Sequence, residues 1–321
     1  PEKLTEGNGF KMNFGDIDGA YRVTYKTNVT GTTDTTYTNK ATVTGTNLPK
    51  DLLDSANVSV RFSQPLNKKA IDYDYTKQTI TWAIQYNYNE KLIKQGDAWL
   101  EDRFDTSHQE LVNNSFTVHK MTIDDNGNGT KDGAAITGYN VTESATGFRL
   151  EFDHDVSAAY EITYQTKAKN RVHEDSYLVK NEVEIYDGTK KDASKEINQA
   201  IFWKNAKKEK VDYLNKTIEW TLSLNEDNQV MDEVVITDSY AGQGLTLLPD
   251  KVKINDWTKD LEEGPDKDYS ISPNPKYEDG FKITFHKPVT KALVITYLTK
   301  FDPTSKDRPS AYKNKAELNW K

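Results

Sequence analysis

One segment occurs three times in this chain, and it decides the fold. It reads GFKMNF-(x6)-YRVTYKT from Gly9, GFRLEF-(x7)-YEITYQT from Gly147, and GFKITF-(x6)-ALVITYLT from Gly280. In each copy apolar and polar residues alternate, a period of two that is typical of β-strands with one buried and one exposed face. Each copy therefore predicts a pair of strands, and the recurrence predicts a repeated domain.

Two further motifs set the length of the repeat. Each copy is followed by a strand that carries an asparagine: YTNKATV around Asn39, VKNEVEI around Asn181 and YKNKAEL around Asn314. Another segment, YTKQTITWAIQYN around Trp82, returns as YLNKTIEWTLSLN around Trp220. The two tryptophans are 138 residues apart and the last two asparagines are 133 apart. This period is that of one ordinary β-sandwich domain.

The repeats divide the chain into three parts. Residues 64–200 hold one complete β-sandwich repeat, residues 201–321 hold another, and residues 1–63 hold only the C-terminal portion of a third. The stretches NLPKDLLDS and DGTKKDASKE are expected to be turns that lead from a closing strand to the next domain. The connections are short and not rich in Gly or Ser, which predicts semi-rigid joints. No long amphipathic helix is predicted, so the fold class is all-β.

Composition excludes several classes of function. The 321 residues carry 42 basic and 50 acidic side chains, a net charge of −8, and no dominant basic patch, so nucleic acid is not an expected partner. There is no cysteine, which excludes disulfides and cysteine-bound metals. No apolar run approaches the roughly 18 residues that a membrane span needs, so we expect no membrane insertion in this region.

No metal or other cofactor is predicted. Residues 124–129, DDNGNG, resemble the start of a calcium loop, but Ala135 stands where such a loop needs a Glu. A Gly/Asn β-hairpin turn is the favoured interpretation. The five histidines are scattered without ligand spacing, and no G-x-S-x-G, P-loop or G-x-G-x-x-G motif stands between a strand and a helix. An enzyme that turns over a substrate is therefore not expected.

Taken together, the motifs resemble a known family. A lysine followed by Thr-Ile-x-Trp-(x4)-Asn, Val-Ile-Thr-Asp-Ser-Tyr, Gly-Phe-x-Ile-x-Phe, Ile-Thr-Tyr-x-Thr and Tyr-x-Asn-x-Ala is similar to the collagen-binding adhesin repeats of Gram-positive surface proteins. The resemblance covers nearly the whole chain, in two full copies and one partial copy. It implies tandem immunoglobulin-like β-sandwich domains of an extracellular protein, anchored to the cell wall by a segment outside this sequence.

The resemblance also implies an intramolecular isopeptide bond in each complete domain, between a Lys on the first strand and an Asn on the last. An acidic residue between them acts as the catalytic acid. Carried over by position, the resemblance assigns Lys69, Asp102 and Asn181 to the first complete repeat, and Lys207, Asp238 and Asn314 to the second. Both lysines stand thirteen residues before the tryptophan. Lys68, Lys204 and Lys208 are close alternatives to them, and Glu233 is the alternative to Asp238.

These residue types suit that chemistry. Burial in an apolar core disfavours charge, and it shifts the pKa of a lysine down and that of a carboxylic acid up by as much as about 3–5 units. The neutral amine can then attack the asparagine amide, and the protonated acid can hydrogen-bond the carbonyl and pass protons to the leaving ammonia. In the partial repeat, Asn39 occupies the acceptor position. Its Lys and acid partners are expected upstream of Pro1, so Asn39 should remain unmodified.

Two functions fit these expectations. The first is the stalk of a cell-wall-anchored adhesin, which projects a binding tip and needs no partner of its own. The second is a ligand-binding module that grips collagen or another host extracellular-matrix protein between adjacent domains. A grip of that kind needs a long flexible linker, so the short connections favour the stalk.

Overall fold

The computed structural model describes residues 2–3, 9–29, 35–60, 64–124, 126–206, 208–304 and 311–321. The chain forms two units, Pro1–Phe62 and Ser63–Lys321. Within the described ranges, regular structure is β-strand except for two 3₁₀ turns at Gln95–Asp97 and Lys208–Lys210. The predicted all-β class with tandem β-sandwiches is confirmed. The same ranges contain no helix with the length and apolar character that crossing a membrane requires.

The first unit contains two separate strand pairs. Its strands are β1 (Glu2–Lys3), β2 (Phe10–Lys11), β3 (Thr35–Val43) and β4 (Leu52–Val60). β1 pairs with β2 and β3 pairs with β4, both in antiparallel fashion. Large apolar side chains such as Phe14 and Tyr21 are exposed. Within the described part of this unit, no other residues cover these apolar side chains.

The second unit begins with a complete β-sandwich, which we call the first sandwich. Its strands are β5 (Leu66–Asp74), β6 (Thr79–Tyr86), β7 (Trp99–Phe104), β8 (Gln109–Leu111), β9 (Thr117–Ile123), β10 (Gly129–Lys131), β11 (Tyr139–Ser144), β12 (Gly147–Phe152), β13 (Ala159–Ala168), β14 (Tyr177–Ile185) and β15 (Lys190–Ile197). One sheet has the order β10-β9-β13-β6-β5, with β8 beside β13. The other has the order β11-β12-β7-β14-β15.

The second sandwich follows the same plan. Its strands are β16 (Phe202–Asn205), β17 (Val211–Asp212), β18 (Thr217–Leu224), β19 (Val235–Ser239), β20 (Leu245–Asn255), β21 (Tyr269–Pro273), β22 (Gly280–Phe285), β23 (Leu293–Phe301) and β24 (Lys315–Asn319). One sheet has the order β16-β18-β23-β20, with β17 beside β18, and the other β21-β22-β19-β24.

Each sandwich has its own hydrophobic core between its two sheets. Buried and partly exposed side chains alternate along the central strands β13, β18 and β23, as the period of two predicts. The repeated tryptophan and tyrosine motifs form one cross-strand pair in each core. Trp82 lies opposite Tyr164 on β6 and β13, and Trp220 lies opposite Tyr297 on β18 and β23.

Two segments predicted to be turns each contain part of a strand. NLPKDLLDS runs into β4, which pairs with β3 over its whole length. DGTKKDASKE leads after a short turn into β15, which pairs with β14 at the edge of its sheet. β4 is solvent-facing over nearly its whole length, and β15 is polar and alternates between exposed and partly buried residues. Charged side chains are usual on edge strands, so composition alone indicated a turn where backbone pairing makes a strand.

The first copy of the repeated segment differs from the other two. In the second and third copies both predicted strands form, as β12 with β13 and as β22 with β23. In the first copy β2 covers only Phe10–Lys11, and residues 21–27 form no strand, contrary to the prediction. A strand needs a hydrogen-bonded neighbour. In the described part of this unit, none lies beside residues 21–27.

Candidate cross-linking site between the two sheets

Four side chains of the first sandwich meet across its core. Lys68 on β5 and Tyr164 on β13 come from one sheet, and Asp102 on β7 and Asn181 on β14 come from the other. Val183 lies opposite Asp102 in the pairing of β14 with β7, so Asn181 is the diagonal neighbour of the acid. The strand register thus aims all four side chains at one point between the sheets.

The four side chains form a closed hydrogen-bond network. Lys68 Nζ donates to Asp102 Oδ2 and, at 2.7 Å, to the Tyr164 hydroxyl. That hydroxyl donates to Asp102 Oδ1 at 2.7 Å and accepts from Asn181 Nδ2 at 2.7 Å. Asp102 and Tyr164 are fully buried, and Asn181 is 2% exposed. Amine, carboxyl and amide are therefore held together without bulk water.

The second sandwich builds the same cluster. Lys204 on β16 donates to Asp238 Oδ2 on β19, which also accepts from the Tyr297 hydroxyl at 2.7 Å. Asn314 stands just before β24, and its Nδ2 donates to the Tyr297 hydroxyl at 3.0 Å. Ala316 lies opposite Asp238 in the pairing of β24 with β19, so the asparagine is again the diagonal neighbour of the acid.

Burial dominates the charge state of both clusters. Desolvation lowers the pKa of Lys68 and raises that of Asp102, and the attraction between the two groups only partly opposes these shifts. In the second sandwich, desolvation lowers the pKa of Lys204 to about 8 and raises that of Asp238. Each pair is thereby displaced towards a neutral amine and a neutral carboxylic acid.

Aromatic rings form the walls that exclude water. Lys68 Nζ lies 5.5 Å from the ring centre of Trp82 and 5.1 Å from that of Tyr164. Lys204 Nζ lies 5.3 Å and 5.6 Å from the corresponding rings of the second sandwich. The Trp82 indole is itself fixed, because its Nε1 donates to Thr166 Oγ1 at 2.9 Å. The cross-strand pair of tryptophan and tyrosine therefore excludes water from one side of the site.

The asparagine amides keep their carbonyl oxygens free of hydrogen bonds. Oδ1 of Asn181 and Oδ1 of Asn314 are buried and have no partner among the described residues. A buried acceptor without a partner is rare in a folded protein and marks a place where strain or chemistry is concentrated. Here it belongs to the carbonyl group that a lysine amine would attack.

The glycine of the repeated Gly-Phe motif lets two strands approach at the acid. A Cβ on Gly147 would lie 1.9 Å from the backbone oxygen of Asp102, and one on Gly280 would lie 2.1 Å from that of Asp238. Their φ angles are 152° and 154°, where side-chain-bearing residues are strained. The phenylalanine after each glycine packs edge-on against the site tyrosine. The motif therefore belongs to the site and not only to the core.

The lysines at the two sites differ from those that counting back from the tryptophan selected. Lys69 is exposed, because neighbouring side chains on a strand point to opposite faces, and Lys68 takes the inward position. Lys207 lies outside the described residues, and Lys204 occupies the site. In the first sandwich the count of thirteen residues does not select Lys68, because β5 has a bulge between Ala70 and Asp72.

The pairing of the lysine strand with the tryptophan strand identifies both lysines. Lys68 lies opposite Ile84 and Lys204 lies opposite Leu222, in each case the second residue after the tryptophan. The site tyrosine was also missed by sequence reasoning, although the shared Thr-Tyr of the three copies of the repeated segment carried the signal.

Asn39 lies on β3 of the first unit, where its Nδ2 donates to the hydroxyl of Tyr25. Tyr25 is 48% exposed and corresponds in the repeated segment to Tyr164 and Tyr297. All three copies therefore contain the same tyrosine–asparagine contact.

The candidate calcium loop is a hairpin turn. Asp124 accepts hydrogen bonds from the backbone N–H groups of Asn126 and Asn128, between the paired strands β9 and β10. Among the residues that the structure describes, no three His, Asp or Glu side chains are grouped so as to hold a metal ion.

Comparison with known proteins places the chain in a family. A model described as a collagen binding domain matches residues 1–53, 64–195 and 204–321. The chain belongs to this collagen-binding domain family. A comparison with curated protein sequences finds no match.

Several solved structures of bacterial proteins are similar at low identity. The C-terminal domain of the AgI/II polypeptide BspA of Streptococcus agalactiae has 15% identity and a TM-score of 0.32, covering 80% of this chain and 96% of that chain. The collagen binding domain of Erysipelothrix rhusiopathiae surface protein RspB has 13% identity and a TM-score of 0.28, covering 77% and 83%. Collagen adhesin (CNA) from S. aureus has 13% and 0.28, covering 80% and 86%. At these TM-scores no functional inference follows from the superpositions.

The close approach at Gly147 gives a first prediction. Gly147→Ala should destabilise the first sandwich by more than about 1 kcal/mol, because the new Cβ meets the Asp102 backbone and the φ angle is unfavourable. Thermal unfolding of the full chain measures the change. Gly96→Ala is the matched control, because a Cβ at Gly96 meets nothing within 4 Å. Equal stability of the two variants would contradict the close approach.

Proposed function

We propose that this chain is part of the stalk of a cell-wall-anchored adhesin, and that each sandwich is braced by an isopeptide bond that it forms itself. The bonds join Lys68 to Asn181 and Lys204 to Asn314. The observation that carries the proposal is the buried cluster of Lys, Asp, Tyr and Asn, which occurs twice. In both copies the lysine and the tyrosine donate to the acid, and the asparagine donates to the tyrosine.

The environment supplies what the reaction requires. A lysine must be neutral to act as a nucleophile, and desolvation shifts Lys68 in that direction. Asp102 takes the proton that the ammonium loses, and the neutral acid stabilises charge that develops on the amide. The Nζ–Cγ bond forms, the Cγ–Nδ2 bond breaks, and one ammonia leaves. The fold holds the reacting groups in place, which makes the step unimolecular.

The bond would suit a load-bearing element. Lysine and asparagine lie on different sheets and roughly 110 positions apart in sequence, near the two ends of each sandwich. By analogy with disulfides that close loops of this length, the cross-link would contribute about 4–5 kcal/mol by restricting the unfolded chain. Tension that enters on the first strand and leaves on the last would pass through a covalent bridge, so the sandwich need not unfold.

Contacts between the two sandwiches favour the stalk. Arg171, in the loop between β13 and β14, donates to both carboxylate oxygens of Asp227 at 2.7 and 2.6 Å and to Asn225 Oδ1 at 2.8 Å. Its guanidinium also lies 5.8 Å from a ring centre of Trp320. Arg171 is largely buried and Asp227 almost completely so. A bidentate, partly desolvated ion pair of this kind fixes orientation as well as distance.

The connecting segment is itself held in place. Gln199 Oε1 accepts from the backbone N–H groups of Ile201 and Phe202 at 2.6 and 2.8 Å, and its Nε2 donates to the Phe202 carbonyl at 2.7 Å. Ala200 and Ile201 are buried. Tyr75 of the first sandwich donates to the Gln199 carbonyl at 2.7 Å. A connection with these contacts does not behave as a flexible linker.

Collagen binding is the second candidate function, and the family description favours it. A host matrix protein would then be gripped between the sandwiches, which would have to separate to admit a rod. The buried connection and the Arg171 contacts oppose such an opening.

We also propose that residues 1–63 are the closing portion of a third sandwich. The tyrosine–asparagine contact in this segment and the family match over residues 1–53 support this assignment. Residues 64–200 and 201–321 are the two complete repeats.

Mass spectrometry tests both the bonds and the lysine register. The purified chain should lack the mass of two ammonia molecules, and tryptic mapping should find peptides that join Lys68 to Asn181 and Lys204 to Asn314. Lys68→Ala should abolish the first of these peptides, because it removes the nucleophile. Lys69→Ala should leave the peptide intact, because that side chain is exposed. A chain with the uncorrected sequence mass would refute both bonds.

The acid gives a further prediction. Asp238→Ala should fold but lack the bond between Lys204 and Asn314, and its second sandwich should unfold at lower temperature, because nothing then takes the lysine proton. Glu233→Ala is the control, since Glu233 is exposed and pairs with Lys321. Complete cross-linking in Asp238→Ala would show that the acid has been assigned wrongly.

The joint between the sandwiches can be tested by Arg171→Ala. Single-molecule distance measurements between labels on the two sandwiches should show one narrow distribution in the wild type and a broader one in the variant, because the ion pair with Asp227 is lost. Arg149→Ala removes an arginine that stacks on Trp99 and pairs with Glu151 away from the joint, and it should change nothing.

Immobilised collagen separates the two candidate functions. The stalk predicts no saturable binding of the wild-type chain to collagen. Saturable binding that Arg171→Ala strengthens would favour a module that opens to grip its ligand.

A further inference from the structure

We infer that Tyr164 and Tyr297 are catalytic residues of the cross-linking reaction, and that their hydroxyls carry a proton from the attacking lysine nitrogen to the leaving asparagine nitrogen. This inference rests on the proposed function, because it assigns a role within the isopeptide-forming reaction.

The Tyr164 hydroxyl lies between the nucleophile and the leaving group. Its oxygen is 2.7 Å from Lys68 Nζ and 2.7 Å from Asn181 Nδ2. It donates its own hydrogen to Asp102 at 2.7 Å. A hydroxyl offers one donor and two acceptor positions, and all three are used here. It is therefore in direct contact with both nitrogen atoms that must exchange a proton.

Counting protons shows that one transfer remains after the acid has become neutral. A lysine ammonium carries three hydrogens: one stays on the new amide nitrogen, one leaves with ammonia, and one must be stored. Asp102 stores that third hydrogen when the buried pair becomes neutral. The hydrogen that leaves with ammonia must pass from Lys68 Nζ to Asn181 Nδ2, and the Tyr164 hydroxyl forms a hydrogen bond with both nitrogens.

The transfer balances without any further reagent. When Lys68 Nζ bonds to Asn181 Cγ, the amide nitrogen Nδ2 loses its conjugation and gains a basic lone pair. The contact between Nδ2 and the hydroxyl then reverses, and Tyr164 gives its proton to Nδ2 while it takes one from Nζ. The Cγ–Nδ2 bond breaks, ammonia leaves, and the tyrosine ends the step as it began, with its hydroxyl protonated.

The surroundings keep the hydroxyl in the form that the transfer needs. Desolvation and the neighbouring Asp102 raise the pKa of Tyr164 well above its ordinary value, and the same causes act on Tyr297 next to Asp238. Each tyrosine hydroxyl therefore carries its proton at the start of the reaction. The packing of the ring against Phe116 and Phe148 does not require the hydroxyl, because a phenylalanine would fill the same space.

The tyrosine–asparagine contact recurs in the other copies. Tyr297 donates to Asp238 at 2.7 Å and accepts from Asn314 at 3.0 Å. In the first unit Asn39 donates to Tyr25. The tyrosine thus accompanies the asparagine in each copy, as expected of a group that acts on the leaving nitrogen.

Timed cell-free synthesis of the full chain tests the inference. Samples are quenched in denaturant at intervals, digested with trypsin, and scored for cross-linked and linear peptides of each sandwich. Tyr164→Phe should slow the bond between Lys68 and Asn181 at least about tenfold, the lower range for loss of a general acid–base group. The bond of the second sandwich should form at the wild-type rate and serves as the internal reference.

Matched variants separate the hydroxyl's role from its place in the core. Tyr86→Phe is the control in the first sandwich, because Tyr86 is fully buried and its hydroxyl has no partner among the described residues. It should cross-link at the wild-type rate. Tyr297→Phe repeats the test in the second sandwich, with Tyr240→Phe as its control. Amide hydrogen exchange of β13 and β23 reports whether each variant keeps its fold.

The outcomes distinguish this inference from the proposed function. A wild-type chain without cross-linked peptides would refute the proposed function itself. A cross-linked wild type with an equally fast Tyr164→Phe would refute only the proton transfer. If Tyr164→Phe and Tyr297→Phe lost exchange protection while their controls kept it, the hydroxyls would be structural and the inference would be wrong.

Discussion

The burial of an amine next to a carboxyl group, between two sheets and without bulk water, is the constraint on which this structure depends. Two opposite charges in an apolar core are costly unless they pair closely or become neutral. The network around Lys68 and Asp102 does both, because the pair is in contact and its pKa shifts favour the uncharged forms. An arrangement that is unfavourable for charge is favourable for nucleophilic attack on an amide. The strands, the aromatic walls and the glycine of the repeated motif all serve to place this pair.

The two sandwiches meet the same constraint with different degrees of enclosure. The side chain of Lys68 is fully buried, whereas 13% of the Lys204 side chain is exposed. The strand that carries Lys204 is short, and a 3₁₀ turn separates it from β17, so the second site is less completely covered. Desolvation lowers the pKa of Lys204 to about 8. The acid, tyrosine and asparagine keep the same relation in both, since they lie on strands whose register is preserved.

The proposed cross-link within each sandwich and the contacts between the sandwiches would resist different motions of the chain. A bond across the core would oppose unfolding, because it closes a loop that spans most of the domain. The contacts of Arg171 and Gln199 oppose bending, because they fix the segment that joins the two cores. Neither set of contacts can replace the other. Both sets of contacts support the proposed stalk.

The sequence by itself determined the all-β class, the repeat and its period, the acids Asp102 and Asp238, and the asparagines that meet them. These follow from alternation and from motifs that recur at a fixed spacing, which are local properties of the chain. Tertiary structure decided which lysine enters each site, because a bulge or a turn shifts the count along one strand without shifting the pairing across strands. It also revealed the tyrosine, since a hydroxyl that bridges three groups is visible only when four strands meet. The strands β4 and β15 were decided in the same way, by backbone pairing with a neighbour and not by their own side chains.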